Sequence, residues 1–227
     1  MTGLADRLEA VQGSVADAIR DAGRAPADVT TIVVSKFHPA SLVRELHALG
    51  VRGFGESRHQ EASAKAAELS DLELEWHFIG QLQSKKAKQA LAYARVIHSV
   101  DRDSVADALA SGTAENAVPV DVFVQVNLTE DPARGGVQAG ELDALVERVT
   151  AARGLRLRGL MTVAPLGEEP RPAFASLRAL SERVTAVDPT ASALSMGMSG
   201  DYREAILEGA THLRIGTAIT GNRPPRG

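Results

Sequence analysis

The chain has 227 residues, 44% of them hydrophobic and 24% charged, which suits one globular domain with a buried core and leaves little room for a second. Twenty-five Lys and Arg against 29 Asp and Glu leave a net charge of −4, which argues against a general nucleic-acid or anionic-membrane surface but allows a local basic pocket. Cysteine is absent, which excludes disulfides, thiolate metal sites, iron–sulfur clusters and a cysteine nucleophile.

The first residues, Met1–Glu9, have neither the basic start nor the apolar stretch of a signal peptide, and no later apolar run is long enough for a bilayer. A cytoplasmic protein is the expectation. Leu4, Leu8, Val11, Val15, Ala18 and Ile19 recur at helical spacing, so an amphipathic helix comes first, stopped by Gly23 and Pro26. The β-branched run Thr31–Lys36 reads as a strand. After Pro39, Leu42, Val43, Leu46 and Leu49 return to a helical period that ends at Gly50.

The same alternation continues. Strands are predicted near Arg52–Gly55, Glu75–Gly80, Val96–Val100, Val120–Leu128, Leu155–Val163, Ala193–Met196 and His212–Gly216, with helical patterns between them such as Leu142, Leu145, Val146, Val149 and Phe174, Leu177, Leu180, Val184. Eight strands separated by helix-length segments favour a parallel sheet with crossover helices, and eight is the number that closes a barrel. An open doubly wound sheet would alternate too, but no Gly-rich nucleotide-binding turn is present. The expected fold is therefore an α/β protein, a (β/α)8 TIM barrel with an extra N-terminal helix, as a single domain over residues 1–227. Only Asn222–Gly227 reads as a loose tail.

Such barrels carry their chemistry at the C-terminal ends of the strands. Lys36 stands there after the first strand, whereas the other four lysines (Lys65, Lys85, Lys86, Lys88) fall on helix-like segments. A buried lysine amine at a barrel mouth is freed to form a Schiff base; the bland alternative is a lysine that reaches solvent or pairs with a carboxylate such as Glu56. The stretch Leu194–Tyr202 places small residues and Ser199 where a helix begins, a setting for an anion, although Ser199 could simply cap the helix starting near Asp201. Arg214-Ile215-Gly216-Thr217 follows the last strand, so both stretches fall where barrels of this type bind phosphate. The histidines show no metal-ligand spacing, and His77 is expected to pack rather than react.

Val34-Ser35-Lys36, Phe54–Glu61, Trp76–Ser84, Gly159–Thr162, Leu194–Ser199 and Arg214–Thr217 together resemble the pyridoxal phosphate homeostasis protein family, single-domain relatives of the alanine racemase N-terminal domain. The resemblance implies pyridoxal 5′-phosphate held by Lys36 as an internal aldimine. It places Ser199 and the backbone of Gly216 and Thr217 on the phosphate, Met198 along the pocket, and Arg214 opposite the pyridine nitrogen. Ser57 departs from the family's usual Asn, so the ring contact carried over to it loses the paired donor and acceptor of an amide. Lys85 also stands where the family often has Asn.

An arginine leaves the facing pyridine nitrogen unprotonated and the ring a weak electron sink. The chain also ends ten residues after Thr217, without the second domain that supplies a racemase with its opposing acid/base. The expected role is a monomeric cofactor carrier active in vitamin B6 homeostasis, serving acceptor apo-enzymes and not itself a catalyst. The alternatives are an amino-acid racemase-like enzyme and a cofactor-free aldolase acting through Lys36.

Overall fold

The computed structural model describes residues 3–113 and 118–222. The expected loose tail therefore lies, apart from Asn222, outside the described residues.

Helix α1 (Leu4–Asp21) turns Leu8, Val11, Val15, Ala18 and Ile19 inward, the stripe seen in the sequence. It packs on the helices that follow the last two long strands, α8 (Tyr202–Leu207) and α9 (Thr217–Thr220). Arg7 Nε donates to Ile219 O at 2.8 Å, and Arg24 Nη1, just beyond α1, donates to Ala210 O at 2.7 Å.

Eight long strands follow: β1 (Thr30–Val34), β2 (Gly53–Glu56), β3 (Glu75–Phe78), β4 (Val96–Val100), β5 (Val120–Asn127), β7 (Leu155–Met161), β8 (Ala193–Ser195) and β9 (His212–Ile215). Every pairing is parallel, as βαβ crossovers require. The sheet closes where β1 meets β9, in the register Thr30↔His212 to Val33↔Ile215. This is the predicted barrel. A two-residue strand, β6 (Val137–Gln138), adds to the end of β5 and has too little length to show a period.

Between the long strands lie α2 (Ala40–Ala48), α3 (His59–Glu68), α4 (Ser84–Ala90), α5 (Asp103–Thr113), α6 (Leu142–Ala151) and α7 (Arg171–Val187). Most of the apolar core fills the shell between strands and helices, with Val43, Leu46, Leu109, Val149, Phe174 and Leu177 buried there. Inside the barrel the packing differs. Val96, Phe123 and Met161 form a small apolar layer, and His98 stacks on Phe123 with ring centroids 4.5 Å apart and planes 12° from parallel.

Six of the eight long strands end one or two residues earlier than their apolar patterns. β1 stops at Val34, which puts Lys36 on a turn and not on the strand. At β7 the register shifts opposite Val122 and Phe123, and Gly159 adopts a φ of +148° there. A Cβ on Gly159 would lie 1.9 Å from Ala193 O, so only glycine lets β7 and β8 approach this closely.

Candidate functional site

The turn after β1 is built around Lys36. His38 N–H closes it onto Ser35 O at 3.1 Å, and Phe37, at its third position, has a φ of +70°. Turns with a positive φ there ordinarily take glycine or asparagine; a bulky residue stores strain of about 1–3 kcal/mol and needs outside support. Lys36 itself is exposed at the barrel mouth, with Nζ 5.9 Å from the Phe37 ring centroid. The expectation of a buried lysine is thereby corrected: ending β1 at Val34 lifts the side chain to the rim.

Lys36 shares one cavity of about 300 Å³ with Val34, Ile79, Met198, Ser199, Gly200, Arg214, Gly216 and Thr217. The phosphate-like corner is made by the loops after β8 and β9. Ser199 Oγ accepts from the Gly216 and Ala218 amides, both at 3.3 Å. Ser199 is therefore not the cap of α8; Asp201 takes that end, its Oδ1 accepting from Met198 N–H at 2.6 Å. A hydroxyl and two converging amides can turn together toward an anion.

Arg214 stands at the inner wall, 4% exposed. Nη1 donates to Ser195 Oγ at 2.7 Å and Nη2 to Thr162 O at 2.8 Å, and no carboxylate pairs with it among the described residues. Burial lowers its pKa to about 10, with Asp201 opposing the shift, so the group remains a cation at neutral pH.

Behind Arg214 a polar file runs along the barrel interior. His98 Nδ1 lies 2.8 Å from Ser195 Oγ, His98 Nε2 lies 3.0 Å from His77 Nδ1, and His77 Nε2 is 3.5 Å from Glu75 Oε2. A neutral His98 satisfies both contacts when Ser195 donates to Nδ1 and Nε2–H donates to His77. Burial holds the His98 pKa well down, helped by the nearby His77, Arg214 and His212 charges. Burial, then His77 and Arg158, lowers His212 to about 4, against smaller raising effects of Glu75 and Asp121.

An acid-dependent loss of stability follows. Below pH 6.5 the unfolded chain protonates His212 and the folded chain does not, so stability falls with pH, by about 2 kcal/mol at pH 5. Glu56, whose carboxyl burial pushes up, acts in the opposite sense, so the contribution is read as a difference between variants. Denaturant midpoints of His212→Gln should decline less than those of the native chain between pH 7 and 5. Parallel declines would remove His212 as a source.

Six of the seven sequence-predicted residues, Lys36, Met198, Ser199, Arg214, Gly216 and Thr217, meet in this one cavity. Ser57 does not. It lines a neighbouring groove of about 390 Å³ with Arg58, His59, Gln81, Gln83 and Lys86. Its backbone is pressed onto the loop after β3, where a Cβ on Gly80 would lie 2.1 Å from Ser57 O. Lys65 lies on a helix, α3, as expected, and its side chain is buried. It bonds Glu56 Oε1 at 2.7 Å, Ser35 O at 2.8 Å and Glu61 Oε1 at 3.0 Å. The Glu61–Lys65 spacing of four along α3 is the only sign of this in the sequence.

The model of the alanine racemase N-terminal domain family matches residues 16–224. A pyridoxal phosphate homeostasis protein from Pseudomonas aeruginosa is 41% identical over 223 residues, covering 98% of this chain and 97% of the relative. The chain belongs to the pyridoxal phosphate homeostasis protein family. Another member, from Escherichia coli, is 36% identical, with 98% of each chain covered. Among solved structures, PipY of Synechococcus elongatus with PLP bound is 38% identical with a TM-score of 0.85, over 96% of this chain and all of PipY. Alanine racemase from Corynebacterium glutamicum shares the fold, with a TM-score of 0.71 at 16% identity; 97% of this chain spans 63% of that enzyme. Among the described residues no helix is long and apolar enough to cross a membrane, and no group of His, Asp and Glu is arranged to hold a metal ion.

Proposed function

We propose that this chain binds pyridoxal 5′-phosphate in the Lys36–Ser199–Arg214 cavity, retains it covalently on Lys36, and releases it to acceptor apo-enzymes. It would do so as a cytoplasmic monomer without turning over a substrate. One observation carries the reading: a single cavity brings together a primary amine, a hydroxyl with two converging amides, and a buried arginine that has no carboxylate partner among the described residues. These are the complements of an aldehyde, a phosphate and an unprotonated pyridine nitrogen. PipY, a relative solved with PLP bound, supports the choice of cofactor.

When bound, the cofactor supplies an aldehyde that condenses reversibly with an amine. Lys36 offers that amine at the open rim, where an incoming amine can also reach. Ser199 and the amides of Gly216 and Ala218 hold the phosphate end, and Met198, Ile79 and Val34 supply apolar wall. Arg214, kept protonated, would face the ring nitrogen without giving it a proton, which would leave the ring a weaker electron sink. That favours retention of the cofactor over turnover.

Titration with pyridoxal 5′-phosphate, borohydride reduction and peptide mapping test the reading: one label, on Lys36, is expected. A protein that forms no reducible adduct would sink it. Incubation with L-amino acids in D₂O separates carrier from racemase, because α-hydrogen exchange well above that of free cofactor would mark an enzyme. Ser199→Ala should weaken cofactor binding by about ten- to a hundredfold, from the roughly 1.5–3 kcal/mol of a hydrogen bond to a charged group. An unchanged dissociation constant would take Ser199 off the phosphate.

A further inference from the structure

The turn carrying Lys36 is held from both sides by charged groups that do not line the cavity. Before Lys36, Ser35 Oγ donates to Glu56 Oε1 at 2.8 Å, and Ser35 O accepts from Lys65 Nζ at 2.8 Å. After it, the Phe37 amide donates to Glu61 Oε1. Lys65 ties the two carboxylates together from α3. Phe37 is the one non-glycine residue with a positive φ among the described residues, and its amide is the group that Glu61 grips.

We propose that Glu61 is a positioning residue for Lys36: by accepting the Phe37 amide it holds the left-handed turn that aims the Lys36 side chain over the cavity. Released from that bond, a bulky residue relaxes toward the ordinary β or α regions, and a change in φ at Phe37 re-aims the preceding peptide. Lys65 neutralises Glu61 and fixes its carboxylate, while Glu56 anchors the other end through Ser35. Glu61 is also the accessible member, 23% exposed against 0% for Glu56 and 7% for Lys65, so it can be changed without opening the core. The inference rests on Lys36 being the cofactor lysine.

The test compares Glu61→Ala with Glu61→Gln, whose amide oxygen can still accept from Phe37. In the unliganded protein, Glu61→Ala should speed amide hydrogen exchange in the 35–38 segment, and Glu61→Gln should largely restore protection. With pyridoxal 5′-phosphate, Glu61→Ala should lower the rate of reducible adduct formation by about ten- to a hundredfold, the penalty of a misplaced reactive group. Affinity for pyridoxine 5′-phosphate, which keeps the phosphate and ring but has no aldehyde, should stay within about twofold because its contacts lie elsewhere. Equal losses for both ligands, or an adduct rate indifferent to Glu61→Ala, would overturn the positioning role alone. A native label on some other lysine would overturn the cofactor reading and this one together.

Discussion

Lys36→Ala should abolish the borohydride-reducible adduct with pyridoxal 5′-phosphate while leaving the fold and the phosphate contacts in place. The chain has five lysines, and the other four have different settings. Lys65 is buried in bonds to Ser35, Glu56 and Glu61, and Lys85, Lys86 and Lys88 stand on α4, away from the cavity lining. The side chain of Lys36 is exposed, so truncating it should change stability by no more than about 0.5 kcal/mol. Ser199, Gly216 and Ala218 are untouched, so pyridoxine 5′-phosphate should bind Lys36→Ala nearly as well as the native chain. Absorbance and mass spectrometry after reduction provide the measurement. An adduct of native yield in Lys36→Ala would transfer the role to another lysine and empty the cavity of its assigned chemistry.

The site was readable in the sequence to the extent that it depends on strand ends. Alternation placed every long strand within a few residues, and a barrel collects whatever lies beyond the C-terminal ends, so Lys36, Ser199 and Arg214 could be grouped although they lie far apart in the chain. Ser57 lies outside the Lys36 cavity for a local reason. It too follows a strand, but its backbone packs on Gly80 in the next loop, and its side chain serves the adjacent groove. The buried state of Lys65 could not be read from an α3 sequence rich in Ala, because nothing in that pattern says which side faces the turn after β1. His77, expected to pack, is buried, and so is His98. Their link to Arg214 through Ser195 exists only because closure brings β3, β4, β8 and β9 around a common interior.

That polar interior explains how one short arginine contact set can be rigid. Thr162 O fixes one nitrogen of Arg214, and Ser195 fixes another while itself engaging His98, which is stacked on Phe123. A guanidinium held by neutral partners keeps its full charge available to the cavity, whereas a paired carboxylate would have cancelled it. On the proposed reading, that charge would orient the cofactor's ring nitrogen without protonating it.

The largest stability effect is expected from Lys65→Ala. Glu56 is 0% exposed, and its Oε2 has no hydrogen-bond partner among the described residues. Burial pushes its pKa up, opposed most by the charge and hydrogen bond of Lys65 and then by the Ser35 hydrogen bond. Removing one member of a buried pair typically costs about 3–5 kcal/mol because the other charge is left uncompensated. In a domain of this size that lowers the melting temperature by roughly 10 °C. The penalty should depend on pH in a definite direction. Without Lys65 the Glu56 carboxyl rises further and takes up a proton in the folded state that the unfolded chain, with an ordinary carboxyl, does not bind. Stability then falls as pH rises above the unfolded value, so Lys65→Ala should be less damaging at pH 5 than at pH 8. Denaturant unfolding at the two pH values checks the sign, and Lys65→Ala with Glu56→Gln should recover part of the loss at pH 8 by removing the stranded charge. A penalty equal at both pH values and unrelieved by Glu56→Gln would mean that Lys65 contributes packing alone, and that the turn beside it is held by Ser35 and Phe37 without help from the ion cluster.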